Sequence, residues 1–313
     1  MTDVIAYFPG QGAQQVGMLV DLSEQYSEIR ETFQEASDAI GQDLWALASE
    51  GPAESLNLTY NTQPALLTAS TAIMRVLMSQ TDNLNIVAAA GHSLGEYSAL
   101  VAADAIDFAD AVKLVKKRGE LMDQAVPAGE GGMAAILNLE EEKIREVCKL
   151  ASGDGVVEPA NFNAPGQIVI AGSMPAVEAA IPMAKEAGAK RAMKLVVSGP
   201  FHSSLMKAAA EELGLALEAV NWRQPKFPVY HNVDNAPAEQ QDIASKLLAQ
   251  LYSPVNWIGA VEASRPKANA AIEVGPGKVL AGLNKRIDKS LVTYGTSDVT
   301  SLQAAIEFIQ GKE

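Results

Sequence analysis

The chain has 313 residues, 48% of them hydrophobic and 20% charged, which suits one large domain or two ordinary ones with a sizeable core and excludes a disordered polymer. A formal net charge of -14 excludes bulk affinity for nucleic acid unless a local basic patch offsets the field. A single cysteine excludes an internal disulfide, three histidines make a poor metal centre, and no apolar run approaches the roughly 20 residues that span a bilayer, so no metal, cofactor or membrane association is expected.

Val4-Ile5-Ala6-Tyr7-Phe8 is an apolar run closed by Pro9-Gly10-Gln11-Gly12, which predicts a buried strand and a turn. Nothing before it has the basic and apolar segments of a cleavable signal, so the default compartment is the cytoplasm. The G-x-G of Gly10-Gln11-Gly12 lacks the third glycine of a dinucleotide fingerprint, because position 15 is Gln15. These glycines more simply let the backbone approach something closely. Ile29, Phe33, Ala36 and Ile40 recur at helical spacing within residues 24–48, and Gly41 supplies the stop. Thr62-Gln63-Pro64 opens a helix over residues 65–78, with Pro64 suited to its first turn.

The next stretch organises the chain. Ile86-Val87-Ala88-Ala89-Ala90 runs into Gly91-His92-Ser93-Leu94-Gly95, and an alanine-rich helical pattern follows. Strand, sharp turn and helix around G-x-S-x-G make a nucleophile elbow. The motif's three fixed residues recur by chance elsewhere; the flanking elements are what single out Ser93. A serine at so tight a tip is strained, and side chains at positions 91 and 95 would collide with the adjacent strand and helix. N–H groups at the start of the helix, and its dipole, face whatever Ser93 attacks.

Residues 108–122 form a helix on which Arg118 has Leu114, Val115, Leu121 and Met122 as surface neighbours. Arg118 therefore faces inward, and Lys113, Lys116, Lys117 and Glu120 mark the solvent side. A buried guanidinium needs an anion. Two partners remain open from spacing alone: a core carboxylate, or the carboxylate of a substrate held by a bidentate clamp.

Residues 127–132 look like a linker. Beyond it the expected order is strand 133–137, helix 140–151 with Cys148 on its apolar face, strands 156–161 and 167–171 around the turn Asn163-Ala164-Pro165-Gly166, helix 175–187 and strand 191–197. This βαββαβ order is the ferredoxin-like unit. The expected fold class is α/β: a large α/β-hydrolase-like catalytic domain with a mostly parallel sheet, residues 1–125 and 199–313, and an inserted small ferredoxin-like domain, residues 126–198.

Ser198-Gly199-Pro200-Phe201-His202-Ser203 leads into a helix over 204–220. His202 lies at the domain junction, where clefts form. Read alone it is a helix-start histidine with a local hydrogen bond; read with Ser93 it is the best available base. His92 abuts the nucleophile, but neighbours on so tight a turn point apart. His231 closes a strand in Tyr230-His231-Asn232-Val233-Asp234. A helix to Gln250, a helix to Ala263, strand and turn at Ala271-Ile272-Glu273-Val274-Gly275-Pro276-Gly277, helix 278–287, strand 291–294 and helix 301–309 complete the chain. No acid stands out as the third member of a triad; a backbone or an amide carbonyl could orient the imidazole instead.

At this point the chain resembles the malonyl-CoA:acyl carrier protein transacylase family of dissociated fatty acid synthesis, over nearly its whole length. The resemblance rests on Phe8-Pro9-Gly10-Gln11-Gly12, Thr62-Gln63-Pro64-Ala65-Leu66, Gly91-His92-Ser93-Leu94-Gly95-Glu96, Arg118-Gly119, Asn161-Phe162-Asn163-Ala164-Pro165-Gly166-Gln167, Gly199-Pro200-Phe201-His202, Asn232-Val233-Asp234 and Glu273-Val274-Gly275-Pro276-Gly277. It implies that Ser93 is the acylated nucleophile and His202 its base. It implies an oxyanion hole from the N–H groups of Gln11 and Leu94, and Arg118 as the receptor of the malonyl carboxylate. The carbonyl of Gln250 falls where the family orients its histidine. Phe201, the residue before that histidine, goes with malonyl rather than methylmalonyl. His231 departs from the family, where Asn or a small residue is expected.

The implied reaction is ping-pong transfer from malonyl-CoA to the phosphopantetheine thiol of acyl carrier protein, with malonyl-CoA a substrate and no cofactor. Two other readings stay open: a serine esterase or thioesterase, in which Arg118 has no substrate role, and a non-catalytic acyl-binding or scaffold protein. The carrier is acidic in this family, so Lys190, Arg191 and Lys194, with Lys116 and Lys117, are the candidate docking patch; a merely solvated charge cluster is the alternative. Charge reversal at Lys190 and Arg191 is expected to raise KM for the carrier and spare the first acylation by malonyl-CoA. Unchanged carrier kinetics would remove the patch.

Overall fold

The structure is a computed structural model that describes residues 1–153 and 155–312. In chain order the strands are β1 (Thr2–Phe8), β2 (Leu84–Gly91), β3 (Gly131–Leu137), β4 (Val157–Ala164), β5 (Gln167–Ser173), β6 (Arg191–Lys194), β7 (Val229–Tyr230), β8 (Val255–Asn256), β9 (Ala270–Glu273) and β10 (Val292–Tyr294). Among the described residues they form two five-stranded sheets. The chain is a mixed α/β fold with a mostly parallel main sheet.

That main sheet runs β10-β9-β1-β2-β7, with every neighbouring pair parallel. Helices cover both faces, which is why β1 reads as a continuous apolar run: Val4 to Phe8 are all buried. The chain leaves β1 in one direction to β2 and returns on its other side at β9. The carboxyl ends of β1 and β9 therefore flank a topological switch point, where a crevice opens in an open α/β sheet. Register places Phe8 opposite Gly91, so the turn after β1 and the elbow after β2 emerge side by side.

The second sheet runs β6-β3-β5-β4-β8, antiparallel except for the β4/β8 pair. Alternation along its strands divides two cores. Ala134, Ile136, Ile168 and Ile170 pack with Ile144, Cys148 and Val177 from helices Glu141–Ser152 and Met174–Glu186. Met133, Val169 and Ala171 face the other way and join the main core.

Several boundaries differ from the sequence reading. Gly131 and Gly132 belong to β3 rather than to a linker, because they pair with Ser173 and Gly172. The hairpin after β4 shortens to Pro165-Gly166, with Asn163 and Ala164 in the strand. β6 ends at Lys194, and the 3₁₀ turn Ser204–Met206 precedes the helix Lys207–Glu218. The segment after Gln250 supplies β8 to the second sheet, a pairing too short to show as a pattern. The long helix begins at Thr59, so Pro64 lies inside it rather than in its first turn. Side chains support the extra turn: Thr62 Oγ1 donates to Leu56 O at 2.6 Å and Asn61 Nδ2 to Ser55 O at 2.9 Å.

Thr59–Gln80 is buried along nearly its whole length and packs against Phe108–Gln124, the helix that carries Arg118. A Cβ on Gly119 would lie 2.5 Å from Tyr60 Cα, so the two backbones touch at the residue beside the guanidinium. Gly119→Ala must push the helices apart. It is expected to destabilise the fold by about 1–3 kcal/mol, read by urea unfolding. An unchanged unfolding midpoint would contradict the close approach.

Candidate active site

Ser93 sits at the tip of the elbow with a left-handed φ of 51°, a conformation that costs a side-chain-bearing residue roughly 1–3 kcal/mol. The surroundings over-determine it. A Cβ on Gly91 would lie 1.8 Å from the Gly95 carbonyl carbon, and one on Gly95 would lie 2.0 Å from Phe8 O. The Asn232 amide staples the turn: its Oδ1 accepts from Ser93 N at 2.8 Å and its Nδ2 donates to Gly91 O at 2.7 Å.

His202 arrives from the loop after β6. That loop is anchored by Glu158 of β4, which accepts from Ser204 N at 2.8 Å, and by His202 N donating to Leu251 O at 3.1 Å. His202 also has a left-handed φ, 61°. Its Nε2 lies 2.8 Å from Ser93 Oγ, and its Nδ1 lies 2.8 Å from the main-chain oxygen of Gln250. A carbonyl only accepts, so Nδ1 carries the proton and Nε2 offers its lone pair to the hydroxyl. Burial, and then the positive charge of Arg118, push the imidazole down to about 3. His202 is thus neutral near neutrality, the state a general base needs. His92 points away, with Nε2 2.8 Å from Asn163 Oδ1.

Arg118 is 1% exposed. Its Nη1 donates to Gln63 Oε1 at 2.9 Å, and its Nη2 to Gln250 Oε1 at 2.8 Å and to Ser93 Oγ at 3.1 Å. Among the described residues no carboxylate lies within ion-pair distance of it, and its Nε has no hydrogen-bond partner. The core-carboxylate alternative left open by the helical spacing is therefore not what the fold contains. Neutral amide oxygens hold a buried cation that no carboxylate among the described residues pairs with. Burial lowers its pKa, against the raising influence of Tyr97 and Glu96.

Ser93, His202, Arg118, Gln11, Leu94 and Phe201 all line one cavity of about 260 Å³ between the two sheets. Its second-sheet wall includes Met133, Asn161 and Val169, and helix Val279–Ile287 supplies Val279, Leu280 and Leu283. The N–H groups of Gln11 and Leu94 have no protein acceptor among the described residues. Lys190, Arg191 and Lys194 are exposed on and beside β6, next to the cavity-lining Leu195; Lys194 also pairs with Glu178 at 3.3 Å. Lys116 is half-buried, bonded to Gln42 Oε1 at 2.8 Å and set over the Tyr60 ring. His231 does not line the cavity; it is fully buried against Glu96.

Sequence reasoning missed Gln63, Glu96, Asn232 and the side chain of Gln250. One signal was present: each is a polar residue within or beside an apolar run, and all four are buried. Nothing local shows that they converge.

The acyl transferase domain family model matches residues 7–302. The malonyl CoA-acyl carrier protein transacylase of Haemophilus influenzae is 53% identical over 304 residues, 96% of this chain and 97% of that protein. The protein of the same name from Escherichia coli K12 is 50% identical over 309 residues, covering 98% and 100%. This chain belongs to the malonyl CoA-acyl carrier protein transacylase family. Solved structures agree. An acyl carrier protein S-malonyltransferase from Vibrio cholerae superposes with a TM-score of 0.93 at 52% identity, over 97% of this chain and 100% of that one. A malonyl-transacylase in complex with its type II PKS acyl-carrier protein gives a TM-score of 0.95 at 47% identity, over 98% and 100%.

The folded imidazole of His202 takes up a proton only near pH 3, against 6.5 for its ordinary value. The unfolded state binds that proton first, so this group removes stability as pH falls from 6.5 and the loss is complete below about 3. NMR of labelled histidine is expected to show the His202 ring neutral from pH 8 down to about 5. A protonation midpoint near 6.5 would contradict the buried geometry.

Proposed function

We propose that this transacylase moves the malonyl group from malonyl-CoA to the phosphopantetheine thiol of acyl carrier protein through a malonyl ester on Ser93. The observation that carries the reading is a buried guanidinium without a carboxylate partner, 3.1 Å from the candidate nucleophile. A substrate whose acyl group ends in a carboxylate supplies the missing charge and is placed for attack by the same contact.

Ser93 Oγ attacks the thioester carbon as its proton passes to His202 Nε2. The tetrahedral oxyanion is held by the N–H groups of Gln11 and Leu94; one such donor is worth roughly 3–4 kcal/mol in comparable sites. The C–S bond breaks, and His202 returns the proton to the departing CoA sulfur. In the second half the carrier thiol gives its proton to His202 and attacks the malonyl ester. Ser93 Oγ leaves and takes that proton back. The Gln250 carbonyl holds the imidazole throughout. An orienting carboxylate in its place would put a negative charge beside Arg118 and the malonate.

Supporting this, the named relatives are malonyl transacylases, and one solved relative is bound to a carrier protein. The carrier is proposed to dock on Lys190, Arg191 and Lys194, with Lys116 and Lys117, and Phe201 in the cavity wall is proposed to favour malonyl over branched acyl groups. The strand order β6-β3-β5-β4 supports a ferredoxin-like unit over residues 126–198, set into a hydrolase-like domain of residues 1–125 and 199–313. The proposed compartment is the cytoplasm; among the described residues no helix is long and apolar enough to cross a membrane.

Incubation with malonyl-CoA is expected to leave a malonyl adduct on Ser93 by peptide mass spectrometry, and none in Ser93→Ala. Arg118→Ala is expected to lower kcat/KM for malonyl-CoA by about 100-fold or more, the order of a lost buried charge pair, and to raise the relative rate with acetyl-CoA. Equal losses with both thioesters would favour an esterase in which Arg118 is structural.

A further inference from the structure

Behind the elbow, away from the cavity, lies a carboxylate that the proposed reaction does not use. Glu96 is the second residue of helix Gly95–Ala102 and is fully buried. Its Oε1 lies 2.6 Å from His231 Nδ1. Its Oε2 accepts from Asn232 N at 3.0 Å and from Gln250 Nε2 at 2.7 Å. His231 is itself buried, with its Nε2 3.6 Å from Asp242 Oδ1. Neither residue touches the cavity.

Gln250 stands between this carboxylate and Arg118. Its Nε2 donates both to Glu96 and to Ser93 O, the latter at 3.0 Å, while its Oε1 accepts from Arg118. An amide can occupy such a slot in two orientations, and its partners decide between them. Here a carboxylate and a carbonyl lie on one side and a guanidinium on the other. Turned over, the amide would aim its NH2 at the guanidinium and its oxygen at the carboxylate.

We infer that Glu96, held in place by His231, is a positioning residue: it sets the direction of the Gln250 amide and thereby the place of the Arg118 guanidinium beside Ser93. The intervening amide also keeps the carboxylate out of ion-pair reach of Arg118. The guanidinium feels an acid's field yet stays free to take a substrate carboxylate. His231 supplies the hydrogen-bond donor at the deep end of this arrangement. Desolvation works against its charge, but the hydrogen bond to Glu96 and the charges of Glu96, Asp242 and Asp234 raise its pKa overall. This inference rests on Arg118 receiving the acyl carboxylate.

The test compares kcat/KM for acylation of Ser93 by malonyl-CoA and by acetyl-CoA in the full chain. Glu96→Gln keeps the side chain's size and removes the charge that orients Gln250. It is expected to lower the malonyl/acetyl ratio about tenfold, with the acetyl value little changed. His231→Leu, which frees one end of Glu96, is expected to lower the ratio less, and His231→Asn, which keeps an N–H donor, to restore it. An unchanged ratio in folded Glu96→Gln, or an equal fall with both thioesters, overturns the inference. If circular dichroism shows that Glu96→Gln does not fold, an unchanged ratio in His231→Leu overturns it instead. A wild-type chain with no preference for malonyl-CoA would instead sink the reading of Arg118, so the two failures are distinguishable.

Discussion

Gln250 ties the site together. Its main-chain oxygen holds the Nδ1–H of His202, its Oε1 holds Arg118, and its Nε2 holds the carbonyl of Ser93. His202, Arg118 and Ser93 are thus spaced by one buried residue at the end of helix Ile243–Gln250. A carbonyl in this role also solves an electrostatic problem. A carboxylate that oriented the imidazole would oppose a negatively charged acyl group and weaken the field of Arg118. A neutral dipole orients the ring without either effect.

The strained residues fit the same logic. Ser93 and His202 both hold left-handed backbone conformations, and each is locked by contacts from elsewhere in the chain. Asn232 and the glycine contacts fix the first. Glu158 and the main chain of Leu251 fix the second. Strain at these two hydrogen-bonded residues is sustained by packing and hydrogen bonds from elsewhere in the fold. The second sheet therefore does more than wall the cavity, because through Glu158 it holds the imidazole against the serine.

Local patterns carried much of this. The apolar run before Gly91-His92-Ser93-Leu94-Gly95 and the helical pattern after it are enough to place Ser93 at a sharp tip, because strand, turn and helix are all short-range structure. The inward direction of Arg118 followed from its four apolar neighbours on one helix face. The anion it faces did not. Helical spacing says that a side chain is buried, while its partner comes from another element. Elements whose support is tertiary were also misjudged. The helix at Thr59 gains its first turn from Leu56 and Ser55, and Val255–Asn256 becomes a strand only because β4 lies beside it.

The amino-acid sequence by itself determined an α/β chain with a serine elbow, an inward-facing arginine and a histidine beyond a βαββαβ segment. These depend on residues near one another along the chain, where backbone geometry and apolar period are decisive. Only the tertiary structure decided that Gln63, Glu96, Asn232 and Gln250 gather around those three groups, and that among the described residues no acid pairs with the guanidinium. Hydrogen bonds between residues more than a hundred positions apart, such as Gln250 to Glu96, leave no periodic trace. They exist because the fold removes water from each partner and leaves it no other.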